Sequence, residues 1–136
     1  MYDVEVEGCD LAMEMTLTPR VANTRGALQG GLIATLVDVV AGRAAVNSLP
    51  VGHGAATSDM TLHFLSGVTV GPARAVAKVL RRGKRMIVVR VDVYDAGRDV
   101  LATTATTTFV ALALRDGQID YRGPMGSPDS SKGSSR

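Results

Sequence analysis

Cysteine is nearly absent from this chain: Cys9 stands alone among 136 residues, so no intrachain disulfide can brace the fold. Aromatic residues are almost as scarce, at 4%, and no run of Lys or Arg is interleaved with them. With a formal charge of only +2 besides, no nucleic-acid partner is expected. The two histidines, His53 and His63, are isolated and lack ligand spacing, so neither a metal nor another cofactor is expected. The first residues, MYDVEVEGCD, carry acids where a secretory leader would need basic residues and then an apolar run, and a cytoplasmic location is expected. The longest apolar segment contains Asp38 and Arg43 and reads as too short and too interrupted for a membrane span. What remains suffices for one domain, since a chain of this length buries roughly two thirds of its unfolded surface.

The stretch around which the chain is organised is residues 23–47, NTRGALQGGLIATLVDVVAGRAAVN. Leu32, Ile33, Leu36, Val37, Val39, Val40, Ala44 and Val46 cover most of a helical wheel, which predicts a helix wrapped by the rest of the fold. Asp38 is the one carboxylate in it. An ionised acid there is costly unless it is hydrogen-bonded or opens on a wet cleft, so Asp38 is either a structural acid or a reactive one. Gly30 and Gly31 fall where the helix begins, at its positive end, where unpaired N–H groups can receive an oxyanion or simply allow a tight turn. At about 1.5 Å per residue, Gly30 and Asp38 lie roughly 12 Å apart along the axis. If both act on one carbon atom, two copies of the chain have to meet.

Before the helix, residues 10–18 place Leu11, Met13, Met15 and Leu17 on one face of a half-buried strand, and 2–8 alternate similarly. Whether these are one bent strand or a pair is open. Residues 19–26 form a turn region that includes Asn23. After the helix, residues 55–66 read as a strand with Ser58, Met60, Leu62 and Phe64 on the core face. Thr57, Asp59, Thr61, His63 and Leu65 fall on the other face, suited to a cleft, a dimer seam or solvent. Three further strand-like runs, 72–80, 85–94 and 100–114, are joined by RRGK and DAGRD turns into an antiparallel meander. The basic turn at Arg81, Arg82, Lys84 and Arg85 is either a solvated hairpin tip or a phosphate contact. From Asp116 onward Gly, Pro, Ser and charges replace the apolar pattern, which divides the chain into a domain at 1–115 and a tail, expected to be disordered, at 116–136. The assembled reading is α+β, a curled antiparallel sheet around one central helix, with an edge strand on which two chains could pair.

These residues resemble the hot-dog-fold acyl-CoA thioesterases of the 4-hydroxybenzoyl-CoA thioesterase superfamily, especially the phenylacetate-pathway (PaaI) type. The likeness runs over about residues 4–114. It is densest at Asn23-x-x-Gly26-x-Leu28-Gln29-Gly30-Gly31, at Thr35-Leu36-x-Asp38-x-x-x-Gly42 and at Thr57-x-Asp59-Met60-Thr61-x-His63-Phe64-Leu65. The resemblance implies that Asp38 acts as base or nucleophile and that the Gly30 amide of a partner subunit polarises the thioester carbonyl. It also implies that Asn23 helps hold the thioester and that the Thr57 hydroxyl helps place water. Gln29 stands where the commonest family pattern has His, and it cannot act as an acid–base group. Gln29 and Gly31 are expected to contact substrate, with Arg82, Lys84 and Arg85 meeting any nucleotide portion.

The expectation is therefore an acyl-CoA thioester hydrolase, needing no cofactor, working as a homodimer or homotetramer. Two other readings stand beside it. A non-catalytic acyl-CoA-binding module would gain nothing from the acid, and a hydratase or dehydratase of the same fold would need a His beside Asp38.

Overall fold

The computed structural model describes residues 1–114, and the expected domain limit at 115 and the tail at 116–136 lie outside the described residues. The order of elements is β1 (Tyr2–Val4), β2 (Leu11–Met15), α1 (Gly30–Asn47), β3 (His53–Phe64), β4 (Ala73–Arg82), β5 (Met86–Asp95) and β6 (Val100–Ala113). The strands form one antiparallel sheet in the order β1-β2-β4-β5-β6-β3, so the first two runs of the chain are a strand pair, not one bent strand.

Period-two alternation makes the inner face of this sheet. Ala73, Ala75 and Ala77 of β4, Ile87, Val89, Val91 and Val93 of β5, and Thr103, Ala105, Thr107 and Phe109 of β6 are all buried. The alanine row on β4 is small enough for α1 to lie close over it, and Ile33, Leu36, Val37, Val40, Ala41, Ala44 and Ala45 fill the space between. Three register shifts, between Thr57 and Asp59, Val79 and Arg81, and Val93 and Tyr94, interrupt the ladders. Each adds local twist, which helps the sheet curl around the helix.

The helix corrects one expectation. At 18 residues with mean hydropathy 1.3 it is long and apolar enough by composition to cross a membrane. What distinguishes it is position, because one side of it is seated in the concave sheet. The opposite stripe, including Thr35, Asp38, Val39, Gly42 and Val46, stays partly open.

The two edges of the sheet differ. β1 is three residues long, and it is tied to the helix by Arg43, whose Nη1 and Nη2 donate to Asp3 Oδ1 and Oδ2 at 2.5 and 3.0 Å. β3 is a full 12 residues, and among the described residues no strand lies beside its outer edge.

Candidate active site

The start of α1 is prepared by the loop before it. Asn23 Oδ1 accepts from the N–H groups of Arg25 and Ala27 at 2.9 and 3.1 Å, the Asn23 N–H donates to Ala27 O at 2.7 Å, and Leu28 N–H donates to Val68 O at 2.9 Å. Gln29 is the N-cap residue, but its side chain makes no capping bond. The amides of Leu32 and Ile33 donate to Gln29 O, whereas those of Gly30 and Gly31 have no partner among the described residues. Two unsatisfied N–H groups therefore sit at the positive helix end. Gly30 opens on a cleft of about 540 Å³ lined by Asn23, Leu28, Ile33, Phe64 and Thr69, among others. With Asn23 Oδ1 occupied by the turn, the Nδ2 donors remain for that cleft.

Asp38 lies two turns further on, half-buried, in a second cleft of about 260 Å³ with Val39, Gly42, Ala55, Thr57 and Phe109. Thr57 Oγ1 donates to Asp38 Oδ1 at 2.8 Å, leaving Oδ2 without a hydrogen bond among the described residues. Simple alternation puts Thr57 on the face away from the helix, and here the structure corrects the expectation. Ser58 is the extra residue of a bulge, with Thr57 opposite Phe109 and Asp59 opposite Thr108. The slip places Ala55 and Thr57 on the same face as Met60, Leu62 and Phe64, and removes Ser58 from it. A hydroxyl is thus aimed at the acid by an irregularity of the strand.

Among the expected site residues, the structure brings Thr57 to Asp38 and brings Asn23 and Gly31 to Gly30, with Gln29 exposed beside them. It does not bring the two groups together, since they occupy separate clefts of one protomer. Arg82 and Lys84 line a third hollow, with Leu49, Pro50, His53 and Ala111, beyond the helix C-terminus, while Arg85 is exposed on the same hairpin. That hollow lies along β3 from Thr57, four residues or roughly 14 Å away. His63 points to the outer face of the sheet, exposed and opposite Thr104, so neither histidine lines the Asp38 cleft.

One supporting pair escaped the sequence reading. Asp95, wholly buried, accepts from the amides of Thr69 and Val70 on Oδ2, at 2.9 and 3.2 Å, and of Gly71 on Oδ1, at 2.8 Å. It also accepts from Arg98 Nε at 2.8 Å, and Arg98 Nη2 reaches Ser66 Oγ and Gly67 O. The pair braces the loop that forms one wall of the Gly30 cleft. Burial pushes the Asp95 carboxyl upward, but Arg98 and the three amides outweigh it and hold it well below the usual carboxylate range. The available signal was the alternation of β5, which places residue 95 on the buried face after Ile87, Val89, Val91 and Val93.

Asp95→Ala is expected to cost roughly 3–5 kcal/mol, because it leaves buried amides and a guanidinium unpaired. Since the folded-state value is depressed, Asp95 stabilises the fold fully above its unfolded value, about 3.9, and loses that contribution as the pH falls below it. Urea unfolding of both proteins at pH 7 and pH 3 checks this: the gap between them should narrow at pH 3.

The model of the thioesterase superfamily matches residues 25–102, more than half of the chain. "Putative esterase SSO1253" of Saccharolobus solfataricus is 28% identical over 98 residues, which are 72% of this chain and 65% of that one. The chain spans between half and two thirds of the length of the curated relatives it matches. Among solved structures, the BH2602 protein of Bacillus halodurans, crystallised with CoA, is 31% identical with a TM-score of 0.70, over 74% of this chain and 66% of that one. Thioesterase HI1161 of Haemophilus influenzae has a TM-score of 0.77 at 19% identity, over 86% and 81% of the two chains, a likeness of fold. With a six-stranded antiparallel sheet curled round one helix and the superfamily model covering α1 through the start of β6, the chain belongs to the thioesterase superfamily and has the hot-dog fold.

Proposed function

We propose that the chain hydrolyses acyl-CoA thioesters to a free acid and CoA in a site built by two subunits. The observation that carries this reading is the split between the two clefts: an acid with an unoccupied oxygen in one, and unpaired helix-start amides in the other, roughly 12 Å along one helix. A single carbonyl carbon cannot reach both in one protomer.

The edge strand resolves the distance. β3 carries Thr57, bonded to Asp38, and seven residues later Phe64, whose ring lies 3.5 Å from where a Gly30 Cβ would be. Two β3 edges paired antiparallel about a two-fold axis between these positions bring Thr57 of one protomer beside Phe64 of the other. Asp38 then faces the helix start of the partner. Phe64 and Leu65, more than half exposed in one protomer, become covered. A homodimer is the smallest assembly with a complete site, and a homotetramer would contain two such pairs.

In that site the Gly30 amide of the partner subunit, at the positive helix end, stabilises the oxygen of the tetrahedral intermediate. Asn23 Nδ2 donates to the thioester and Gln29 and Gly31 border it. Asp38, held by Thr57 through Oδ1, uses Oδ2 either to take a proton from water or to attack the carbonyl carbon. In the first course the hydroxide adds to the carbon, the C–S bond breaks and the thiolate leaves as CoA. In the second an anhydride with Asp38 forms as CoA leaves, and water then cleaves it. The Thr57 hydroxyl, which also lies at the mouth of the cleft, helps place that water. The hollow at Arg82 and Lys84, roughly 14 Å along β3, suits the nucleotide phosphates, a span of the order that a pantetheine arm bridges. Arg85 adds positive charge on the same hairpin. The CoA found with the Bacillus halodurans relative supports the same ligand class here.

The absence of a histidine from the Asp38 cleft argues against hydration or dehydration chemistry. Release of free thiol from a panel of aryl- and alkyl-acyl-CoAs tests the reading. Turnover on at least one class is expected, whereas tight binding of every member without thiol release would contradict it and favour a binding module.

A further inference from the structure

Four described arginines, Arg43, Arg74, Arg90 and Arg98, are each paired with a carboxylate. Arg25 is not among them, and it lines the Gly30 cleft as that cleft's one charged residue. No Asp or Glu lines the same space. The other side-chain and amide groups offered there include the Asn23 Nδ2 donors and the unpaired N–H of Gly30, while Leu28 and Ile33 supply an apolar floor and Phe64 a wall. Within one protomer the cleft is thus apolar in its body and positive at its rim, and the partner's Asp38 is the carboxylate that the proposed dimer brings to its Gly30 end.

The loop fixes the backbone that carries this charge relative to the reacting end. Asn23 Oδ1 accepts the Arg25 N–H at 2.9 Å, so the same turn that presents the Asn23 amide also sets the backbone from which the guanidinium extends. A planar guanidinium on a pre-set turn is suited to bidentate recognition of an anionic oxygen group.

We propose that Arg25 is a specificity-determining residue that reads an anionic group of the thioester substrate bound in the Gly30 cleft. Two parts of such a substrate offer that chemistry, a carboxylate at the far end of the acyl chain and a phosphate of the nucleotide carrier. The inference rests on the thioesterase reading above for its assay, and the experiment is arranged so that the two can fail separately.

The test compares wild type, Arg25→Gln and Arg25→Lys on three thioesters: glutaryl-CoA, butyryl-CoA and butyryl-N-acetylcysteamine. If the acyl carboxylate is read, Arg25→Gln lowers kcat/KM on glutaryl-CoA alone, by about five- to twenty-fold, with partial rescue by Arg25→Lys. If a phosphate is read, both CoA substrates lose and the N-acetylcysteamine thioester does not. Equal rates for wild type and Arg25→Gln on all three, or an equal loss on all three, would overturn the assignment. Should the wild type turn over none of them, calorimetric titration with CoA and glutaryl-CoA decides: weaker binding by Arg25→Gln retains Arg25 and unchanged binding overturns it, while the hydrolase reading stands or falls on the aryl and alkyl panel above.

Discussion

Asp38→Asn is expected to lower turnover by about 10²- to 10⁴-fold while leaving the fold intact, the range by which a positioned acid or base accelerates a proton transfer. The substitution preserves shape and keeps an oxygen at Oδ1, so the hydrogen bond from Thr57 Oγ1, 2.8 Å long in the native protein, still has an acceptor. Asp38 is half-buried and makes no ion pair among the described residues, so no partner charge is stranded. A change in stability within about 1 kcal/mol is expected, since none of the mechanisms behind large losses applies. What the amide cannot do is take a proton from water or attack a carbonyl. Thiol release and thermal melting, measured together, check both halves, and full turnover in a clean preparation of the variant would remove Asp38 from the reaction.

Gly30→Pro is expected to lower kcat by about 10²- to 10³-fold, the cost seen when one oxyanion donor is lost. It removes the amide hydrogen and little else. Position 30 is the first residue of the helix, where proline is well accepted because the N–H has no intrahelical acceptor. Gln29, at φ −58° and ψ 136°, already has the extended conformation that a residue before proline requires. A Cβ at position 30 would meet the Phe64 ring at 3.5 Å, an ordinary contact, so the ring need not move. Gly30→Ala is the matching control, because it adds the same Cβ and keeps the N–H; it should retain most of the activity lost in Gly30→Pro. Rates and circular dichroism of the three proteins separate a lost donor from a damaged helix, and a proline variant as active as wild type would contradict the oxyanion role.

The parts of this fold that follow a simple period were legible in the sequence. The helix shows as a nearly all-apolar wheel with one acid, and β4, β5 and β6 show as runs separated by RRGK and DAGRD. The separation of Gly30 from Asp38 was legible too, as spacing on one helix, and with it the conditional reading that both reach one carbon atom only across two subunits. Thr57 was legible as a residue and not as a direction. Its orientation depends on the bulge at Ser58, which is set by the register against β6 and leaves no mark in the alternation of β3 itself. Asp95 shows the complementary limit. Its inward position follows from the period of β5, but its partners, the amides of residues 69–71, are distant in sequence and their positions are fixed by the closed fold alone. The basic hairpin is brought beside the His53 end of β3 through the pairing of β5 with β6 and of β6 with β3, again a matter of register that composition does not carry.

A site completed across a two-fold interface implies that two dead variants can repair each other. Asp38→Asn retains its Gly30 amide and Gly30→Pro retains its acid, so a mixed dimer holds one intact site and one doubly defective site. Co-refolding the two inactive proteins in equal amounts is predicted to restore about a quarter of wild-type activity, half the dimers being mixed and each carrying one working site of two. Native mass spectrometry of the mixture, with one chain isotopically heavy, establishes that mixed dimers have formed. Mixed dimers with no activity above that of the separate variants would contradict the shared site.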